Sequence, residues 1–212
     1  MRRTQIAEKT LNRLFLYVDY LKEMAQQRRT IVSSQQLAEA VGVKSCLLRK
    51  DLSRLGSFGC PRVGYQVDVL LNRLSAHLGL NEEISVVVIA RCGFASDLSI
   101  CRCLPEHNFK IAGFFYDGPQ RPQASACTQE VLPIDLLDEV VRDNKVTMAI
   151  IASPPFSPQR IVDRLVAAGV KSILNLCGPP VSVPEEVSLR RADAIHHLRV
   201  LAFYNSHTDE KS

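Results

Sequence analysis

The chain has 212 residues, of which 46% are hydrophobic, so it is long enough for one or two domains with buried cores. No apolar run approaches the roughly 18 to 20 residues of a membrane-spanning helix, and the N-terminus lacks the apolar segment of a signal peptide. Seven cysteines without a CxxC pair or a Cys/His metal spacing indicate free thiols, no metal site and a reducing, cytoplasmic compartment.

The net charge of +4 is divided unevenly along the chain. Residues 1–80 carry 13 cationic and 6 acidic side chains, whereas residues 81–212 carry 13 and 16. This division predicts that only the first part meets a polyanion such as DNA. We therefore expect a DNA-binding domain over residues 1–80, a second domain over 81–190 and a separate C-terminal segment over 191–212.

Apolar periodicity predicts two helices before the first basic stretch. One runs from Leu11 to Gln27 with Thr10 as its cap, and its apolar stripe is Leu11, Leu14, Phe15, Val18, Leu21 and Met24. The other begins at a Ser34 cap and stops at Gly42. Its inner face is Leu37, Ala40 and Val41. A third, basic helix follows after a short turn, which is the order of a helix-turn-helix domain.

That basic stretch, Lys44 to Tyr65, carries the strongest functional pattern in the chain. Its leucines recur at helical spacing, so its cations and hydroxyls lie on the remaining surface until Gly56 ends the helix. A tight basic loop suited to a two-stranded wing follows, and then a helix from Val69 to Leu78. Cations on such a helix can reach guanine edges in a major groove, and a wing arginine can enter a minor groove. The candidate DNA contacts are Ser45, Arg49, Lys50, Ser53, Arg54, Ser57, Arg62 and Tyr65.

An ordinary helix with a solvated cationic face is the alternative for this stretch taken alone. The helix-turn-helix order, the wing pattern and the closing helix all favour DNA binding over that alternative.

The second domain alternates strands with helices. Residues 84–90, ISVVVIA, form an unbroken β-branched run typical of a parallel strand buried on both faces. Further strands are predicted over 109–115, 147–152 and 172–176, with an edge strand within 181–189. Helices are predicted over 94–104, 134–144 and 158–168. This alternation predicts right-handed βαβ units and a Rossmann-like, doubly wound parallel sheet.

A final amphipathic helix is predicted from Arg191 to Asn205. Its apolar face is Ile195, Leu198, Leu201 and Ala202. In a chain of this length, we expect a partner subunit to cover that face.

The turn after the first Rossmann strand reads Ala90-Arg91-Cys92-Gly93-Phe94-Ala95 where a dinucleotide fingerprint G-x-G-x-x-G would stand. Alanine at the third glycine position is a known variant, but Cys92 places a side chain where pyrophosphate approaches the backbone. Asp117, two residues beyond the predicted second strand, is a candidate acceptor for the ribose hydroxyls. Two interpretations stay open: a dinucleotide site in which Arg91 compensates for the lost contacts, and a Rossmann scaffold that has lost its ligand.

The chain resembles the Rex family of redox-sensing repressors from about Leu11 to Phe203. The most specific match is Leu48-Arg49-Lys50-Asp51-Leu52-Ser53 with Gly56-Ser57-Phe58-Gly59 and Val63-Gly64-Tyr65. The other matching segments are Leu14-Phe15-Leu16-Tyr17, Val32-Ser33-Ser34, Leu37-Ala38, Ser153-Pro154-Pro155, Leu165-Val166-Ala167-Ala168-Gly169-Val170, Ile173-Leu174-Asn175 and Val183-Pro184.

The resemblance implies a winged-helix domain, a Rossmann domain and a homodimer with an exchanged C-terminal helix. It also implies binding to double-stranded operator DNA when NADH is scarce and release when NADH rises. Arg49 and Lys50 correspond to major-groove and phosphate contacts, and Ser53 and Ser57 to phosphate contacts. Two acidic residues take other roles: Asp51 is expected to orient an arginine inside the domain, and Asp193 to report the ligand state near the dimer exchange. The candidate cofactor contacts are Ala90, Arg91, Cys92, Gly93, Phe94, Ala95, Phe115, Asp117 and Pro154.

The departures from the family lie where the ligand and the switch should be. All three fingerprint glycines are replaced, and the family's acidic residue at the end of the second strand aligns with Phe115. A family tyrosine near the nicotinamide corresponds to Cys101, and a switch arginine corresponds to Asp19. The wing carries Pro61-Arg62 in place of Arg-Gly. We therefore expect NADH or NAD to bind weakly or not at all, whereas DNA binding is retained.

A nicotinamide-dependent enzyme with an accessory basic domain is the alternative function. It would need a proton-handling side chain beside the nicotinamide. His196 and His197 fall on the C-terminal helix as polar flanks, and His77 and His107 fall at surface positions. Because no catalytic constellation emerges, a dimeric repressor is the favoured function. Salt-dependent binding to duplex DNA without turnover of NADH would separate the two.

Overall fold

The computed structural model describes residues 6–56, 64–90, 103–117, 131–152, 157–176, 179–192 and 194–206. The chain forms two compact units, Met1–Glu82 and Glu83–Ser212. Among the described residues, no helix is both long and apolar enough to span a bilayer.

Over its described residues, the first unit contains four helices and a short antiparallel ribbon. The helices are α1 (Glu8–Gln26), α2 (Ser34–Ala40), α3 (Ser45–Ser53) and α4 (Val67–Leu78). The ribbon pairs β1 (Ile31–Val32) with β2 (Tyr65–Gln66), and Val32 lies opposite Tyr65. This pairing ties the chain ahead of α2 to the chain that returns after α3. Strand β1 was not predicted from the sequence, because two residues are too few to show an alternating pattern.

Helix α1 differs from its prediction at both its start and its buried face. It begins at Glu8 with Ala7 as the N-cap, so Thr10 lies inside the helix and is buried rather than capping it. Phe15, predicted to be inside, is 36% exposed, whereas Tyr17 is fully buried. The buried face is Thr10, Leu14, Tyr17, Val18, Leu21 and Met24. Phe15 is displaced because that face is centred on the row through Leu14, Val18 and Leu21.

Helix α2 begins one residue earlier than predicted. Ser33, and not Ser34, is the N-cap: its hydroxyl accepts from the Gln36 N–H at 3.1 Å, and the Gln36 side chain accepts from the Ser33 N–H at 3.0 Å. This capping box satisfies two backbone donors at once. Ala38 is buried and Ala40 is exposed, so that part of the predicted inner face is wrong. The predicted stop is confirmed, since Gly42 has a φ of +73°.

In the second unit, the strands that the structure describes form one parallel sheet of six. Its strands are β3 (Ile84–Ala90), β4 (Phe109–Tyr116), β5 (Val131–Pro133), β6 (Met148–Ile151), β7 (Ser172–Asn175) and β8 (Ser188–Arg191). Their order is β5-β4-β3-β6-β7-β8. The order reverses direction at β3, which is the doubly wound arrangement of a Rossmann domain. The predicted fold class is confirmed.

Strand β3 is buried on both faces, as its unbroken apolar run predicts. Val87 and Ile89 pack into one core with residues of α5 (Leu137–Asp143) and α6 (Pro158–Ala168). Val86, Val88 and Ala90 pack into the opposite core. Alternate residues of one strand therefore hold two layers together, and β3 is the centre of the unit.

Several element boundaries in this unit differ from the predictions. Strand β5 was missed, and the edge strand predicted within 181–189 is β8, at Ser188–Arg191. Prolines at positions 179, 180 and 184 lack the N–H that a ladder needs, so the chain pairs only beyond them. The helix predicted over 134–144 divides into a 3-10 turn, Ile134–Leu136, and α5. Helix α6 matches its prediction and ends at Gly169, with a φ of +109°.

Candidate DNA interface and nucleotide site

Helix α3 presents its cations outward because its leucines are anchored in the core. Leu48 and Leu52 are 0% and 2% exposed, whereas Arg49 and Lys50 lie on the exposed side of the helix. The core beneath is formed by α1, α2 and α4, and it includes Leu14, Leu21, Leu37, Leu70 and Leu74. The amphipathic spacing read from the sequence therefore produces a cationic outer face.

Asp51 lies on the inner side of α3, at 1% exposure, and is held by two side chains of α1. Arg13 donates from Nε to Oδ2 at 2.6 Å and from Nη2 to Oδ1 at 2.8 Å. The Tyr17 hydroxyl donates to Oδ2 at 3.2 Å. The expectation that Asp51 orients an arginine inside the domain is confirmed, and Arg13 is that arginine.

Burial, together with the neighbouring Asp51 carboxylate, raises the pKa of Tyr17 to about 12, although the Arg13 guanidinium opposes the shift. The hydroxyl therefore keeps its proton at neutral pH and can donate to Asp51. The hydrogen bond to Asp51 likewise raises the pKa of Arg13. The three groups form a charge-assisted cluster between α1 and α3.

The exposed candidates on α3 already make local hydrogen bonds. Arg49 donates from Nη1 to the Ser34 hydroxyl at 3.3 Å, which links the outer face of α3 to the start of α2. Ser53 donates its hydroxyl proton to the Lys50 carbonyl at 2.9 Å. A phosphate oxygen needs a donor, so Ser53 must break that bond to contact DNA.

The other described candidates lie at the margins of the outer face. Arg54, directly after α3, donates to the Thr10 hydroxyl at 3.5 Å. Ser45 is the first residue of α3 and is half-buried. Tyr65, in β2, is half-buried near Arg49, and burial raises the pKa of its hydroxyl. Ser57 and Arg62 lie outside the described residues.

Sequence analysis missed two residues of this region, Arg13 and Tyr17. They are four residues apart and lie on the face of α1 that Leu14 and Val18 bury. The available signal was a charged and a phenolic side chain at helical spacing beside an apolar stripe. That signal cannot identify a partner 34 to 38 residues away.

Gly64 lies against the backbone of β1. Its φ is +102°, and a Cβ placed on it would lie 2.6 Å from the Val32 carbonyl oxygen. We expect Gly64→Ala to separate β1 from β2 and to destabilise the first unit by about 1–3 kcal/mol or more, because both backbone strain and overlap oppose it. Urea unfolding followed by circular dichroism would measure the loss. Gly42→Ala is the matched control, since it shares a positive φ but has nothing within 4 Å. Equal losses in the two variants would contradict the overlap argument.

The nucleotide site expected from the fold lies where β3, β4 and β6 end. Ala90 lies opposite Tyr116, and the Asp117 N–H donates to the Ala90 carbonyl at 3.1 Å. The backbone of Asp117, the residue after β4, therefore lies directly beside the end of β3, and its role as a ribose acceptor stays a prediction. In a doubly wound sheet, this is the crevice in which a ribose is held.

Phe115 does not contribute its side chain to that crevice. It is fully buried in the core beneath α5 and α6, and its ring covers Gly113: a Cβ on that glycine would lie 2.7 Å from the ring. Phe115, which aligns with the family's acidic residue, therefore offers no polar group to a ribose. Of the remaining cofactor candidates, Ala90 is the buried last residue of β3.

The other candidates for ligand binding and switching lie outside the described residues. They are Arg91, Cys92, Gly93, Phe94, Ala95, Pro154 and Asp193. The predicted helix 94–104 falls mostly on the same part of the chain. Within the described ranges, no cluster of His, Cys, Asp and Glu could hold a metal ion.

The C-terminal helix, α7 (Ala194–Ser206), carries apolar side chains on every face, interleaved with His196, His197 and Arg199, which differs from the amphipathic helix predicted from Arg191. Arg191 belongs to β8. At about 100° per residue, the apolar side chains spread over every face rather than one. Between 41% and 63% of each remains exposed: Ile195, Leu198, Val200, Leu201, Phe203 and Tyr204.

Comparison with known proteins identifies relatives along nearly the whole chain. Residues 5–53 match the family described as putative DNA-binding protein N-terminus. The redox-sensing transcriptional repressor Rex of Carboxydothermus hydrogenoformans is 40% identical over 203 residues, covering 96% of this chain and 98% of that protein. Its counterpart from Streptomyces griseus is 37% identical over 199 residues, covering 94% and 79%.

Two solved structures share the fold. The crystal structure of RSP in complex with beta-NAD+ and operator DNA has a TM-score of 0.85 and 26% identity, covering 98% of this chain and 95% of that chain. The crystal structure of RSP in complex with beta-NADH has a TM-score of 0.81 and 25% identity, covering 98% and 97%.

Proposed function

The chain belongs to the Rex family of redox-sensing transcriptional repressors, and we propose that it binds operator DNA as a homodimer through the outer face of α3. Members of this family are repressors and not enzymes, which decides against the nicotinamide-dependent enzyme. The observation that carries the proposal is that α3 has one buried face and one exposed, cationic face. Leu48, Asp51 and Leu52 are buried, whereas Arg49 and Lys50 are exposed.

Electrostatics supports DNA as the partner of this face. Residues 1–80 carry a net charge of +7, and residues 81–212 carry −3. Lysine and arginine attract the phosphate backbone regardless of sequence, and arginine can also read a guanine edge with two hydrogen bonds. Arg49 suits the second role, since it is exposed and its guanidinium carries five N–H donors, of which the bond to Ser34 uses one. Lys50 suits a phosphate contact.

The exposed apolar helix α7 supports a homodimer. A helix with apolar side chains on every face needs neighbours on more than one side, and packing on one surface would leave about half of those side chains in water. A second copy that receives α7 would cover it, as the family resemblance implies. A two-fold dimer would carry two copies of α3, which would read half-sites about one helical turn apart.

Control by nucleotide is the finer part of the proposal. The RSP structures contain beta-NAD+ or beta-NADH, and this chain has the same fold with Asp117 beside the end of β3. Its turn carries Cys92 where a fingerprint glycine lets pyrophosphate approach. We propose that nucleotide binding is weakened at this turn, so that NADH disturbs operator binding less than a complete fingerprint would allow.

The proposal is tested by substitutions on α3. Arg49→Ala is expected to weaken operator binding by about 1–3 kcal/mol, roughly 5- to 150-fold, and to relax base preference, because a base-edge contact is lost. Lys50→Ala is expected to weaken binding to all duplexes and to lower the salt slope by about one, because a phosphate contact is lost. Fluorescence anisotropy across a salt series measures both effects.

Lys22→Ala is the matched control, since it removes the same charge from α1 at a half-buried position away from α3. Its affinity should stay within about twofold of the wild type. Wild-type affinity in both α3 variants would contradict the assignment of this face to DNA.

A further inference from the structure

We propose that Asp51 is a positioning residue for sequence recognition: through Arg13 and Tyr17 it sets the orientation of α3 on the domain. The inference rests on the proposed role of α3 in DNA binding. It assigns a task to a buried acidic residue that directly follows two outward cations, Arg49 and Lys50, and cannot itself face the DNA, since it is 1% exposed.

The geometry of the cluster constrains rotation as well as position. Arg13 contacts both carboxylate oxygens, at 2.6 and 2.8 Å, and Tyr17 adds a third donor at 3.2 Å. A two-point contact between a planar guanidinium and a planar carboxylate has one favourable orientation. Both donors lie on α1, the longest described helix of the unit, so the cluster fixes the orientation of α3 relative to α1.

Apolar packing alone would hold α3 less strictly. The contacts of Leu48 and Leu52 are non-directional, and apolar cores tolerate small shifts of one element against another. Hydrogen bonds to a buried carboxylate weaken steeply with angle. A rotation of about 20° would move a side-chain tip ~6 Å from the helix axis by about 2 Å, enough to break a contact with a base edge.

Charge balance in the cluster makes the role testable. Arg13 and Arg54 both donate to the Thr10 hydroxyl, at 3.0 and 3.5 Å, so two guanidinium groups converge on that hydroxyl, and one of them is paired with Asp51. Neutralising Asp51 would leave these cations to repel each other and would loosen the link between α1 and α3. It would also raise the net charge of the protein by one, which strengthens non-specific attraction to DNA. The effects on specific and non-specific binding therefore have opposite signs.

The test uses the full chain with Asp51→Asn and two probes: a duplex selected by the wild-type protein from a random library, and an unselected duplex of equal length. Affinities are measured by fluorescence anisotropy at fixed salt, and folding is measured by circular dichroism. We expect at least a tenfold loss of affinity for the selected duplex. Affinity for the unselected duplex should be unchanged or higher. Glu23→Gln, the same charge change at an exposed position of α1, should leave the ratio of the two affinities unaltered.

If Asp51→Asn does not fold, two variants of its hydrogen-bond donors test the same role. Tyr17→Phe keeps the buried ring and removes one donor, and Arg13→Lys keeps the charge and removes the two-point contact. Each should lower the ratio several-fold, with Arg13→Lys having the larger effect. A parallel fall in both affinities, or an unchanged ratio in the folded variants, would overturn the inference. If the wild-type protein selects no duplex, the proposed function fails as well; if it does and the ratios hold, only this inference fails.

Discussion

A chain ending at Ala192 is expected to be monomeric and to bind operator DNA at least about 100-fold more weakly than the full chain. The truncation removes α7, whose exposed side chains include Ile195, Leu198 and Leu201. Without the second copy, one α3 reads one half-site, and binding falls from the range of specific dimers towards non-specific affinity. Light scattering and anisotropy measure the two consequences.

The structure determines where that truncation must be made. Strand β8 continues to Arg191, and the Ala192 N–H donates to the Asn175 carbonyl at 2.9 Å. A cut after Arg190 would damage the sheet as well as removing the helix. A chain ending at Ser206, which keeps α7, is the control and should remain dimeric. In the full chain, Leu198→Glu with Leu201→Glu should reproduce the monomer, because burying two carboxylates against apolar surface is unfavourable. A clean dimer of the chain ending at Ala192 would place the interface elsewhere.

NADH is expected to bind the unaltered protein with a dissociation constant of micromolar to tens of micromolar, and to disturb operator binding only slightly. The sequence offered two reasons, Cys92 and Phe115, and we base this expectation on Cys92 alone, because the Asp117 backbone lies beside the end of β3. One lost charge-assisted hydrogen bond at the pyrophosphate costs about 1.5–3 kcal/mol, roughly one to two decades of affinity. Isothermal titration calorimetry with NADH, NAD and ATP measures it.

Substitutions at Cys92 and at Asp117 test separately how the pyrophosphate turn and the ribose acceptor contribute to NADH binding. Cys92→Gly should recover about tenfold or more of the NADH affinity, whereas Cys92→Ala, which keeps a Cβ, should recover little. Asp117→Asn should weaken whatever binding remains, because the amide replaces a charged acceptor for the ribose hydroxyls. Sub-micromolar NADH binding by the unaltered protein would show that the turn retains its function. Phe115→Asp is not a useful variant, since it would bury a carboxylate in the core.

The fold of the second unit could be predicted because its signals are local. Strand β3 is an unbroken β-branched run, and α6 begins at Pro158 and ends at Gly169. Such patterns depend on a few neighbouring residues and on whether both faces are buried. Strand β5 and the true edge strand β8 were missed or misplaced because three or four residues acquire a strand conformation from the strand beside them.

The candidate DNA face was predicted for the same reason. Helical spacing places Leu48 and Leu52 on one side of α3 and Arg49 and Lys50 on the other, and a one-dimensional pattern is sufficient for that. The cap of α2 was predicted one residue too late, because Ser33 and Ser34 are both good capping residues and only backbone geometry distinguishes them.

The amino-acid sequence by itself determined that a basic helix-turn-helix domain precedes a Rossmann domain, because charge, periodicity and glycine positions are properties of neighbouring residues. Only the tertiary structure decided that Arg13 and Tyr17 hold Asp51, that Asp117 rather than Phe115 stands at the end of β3, and that α7 is exposed all round. Each of these depends on partners or neighbours far away in the sequence. The register between parallel strands and the rotation of one helix against another are set by packing, which no local pattern encodes.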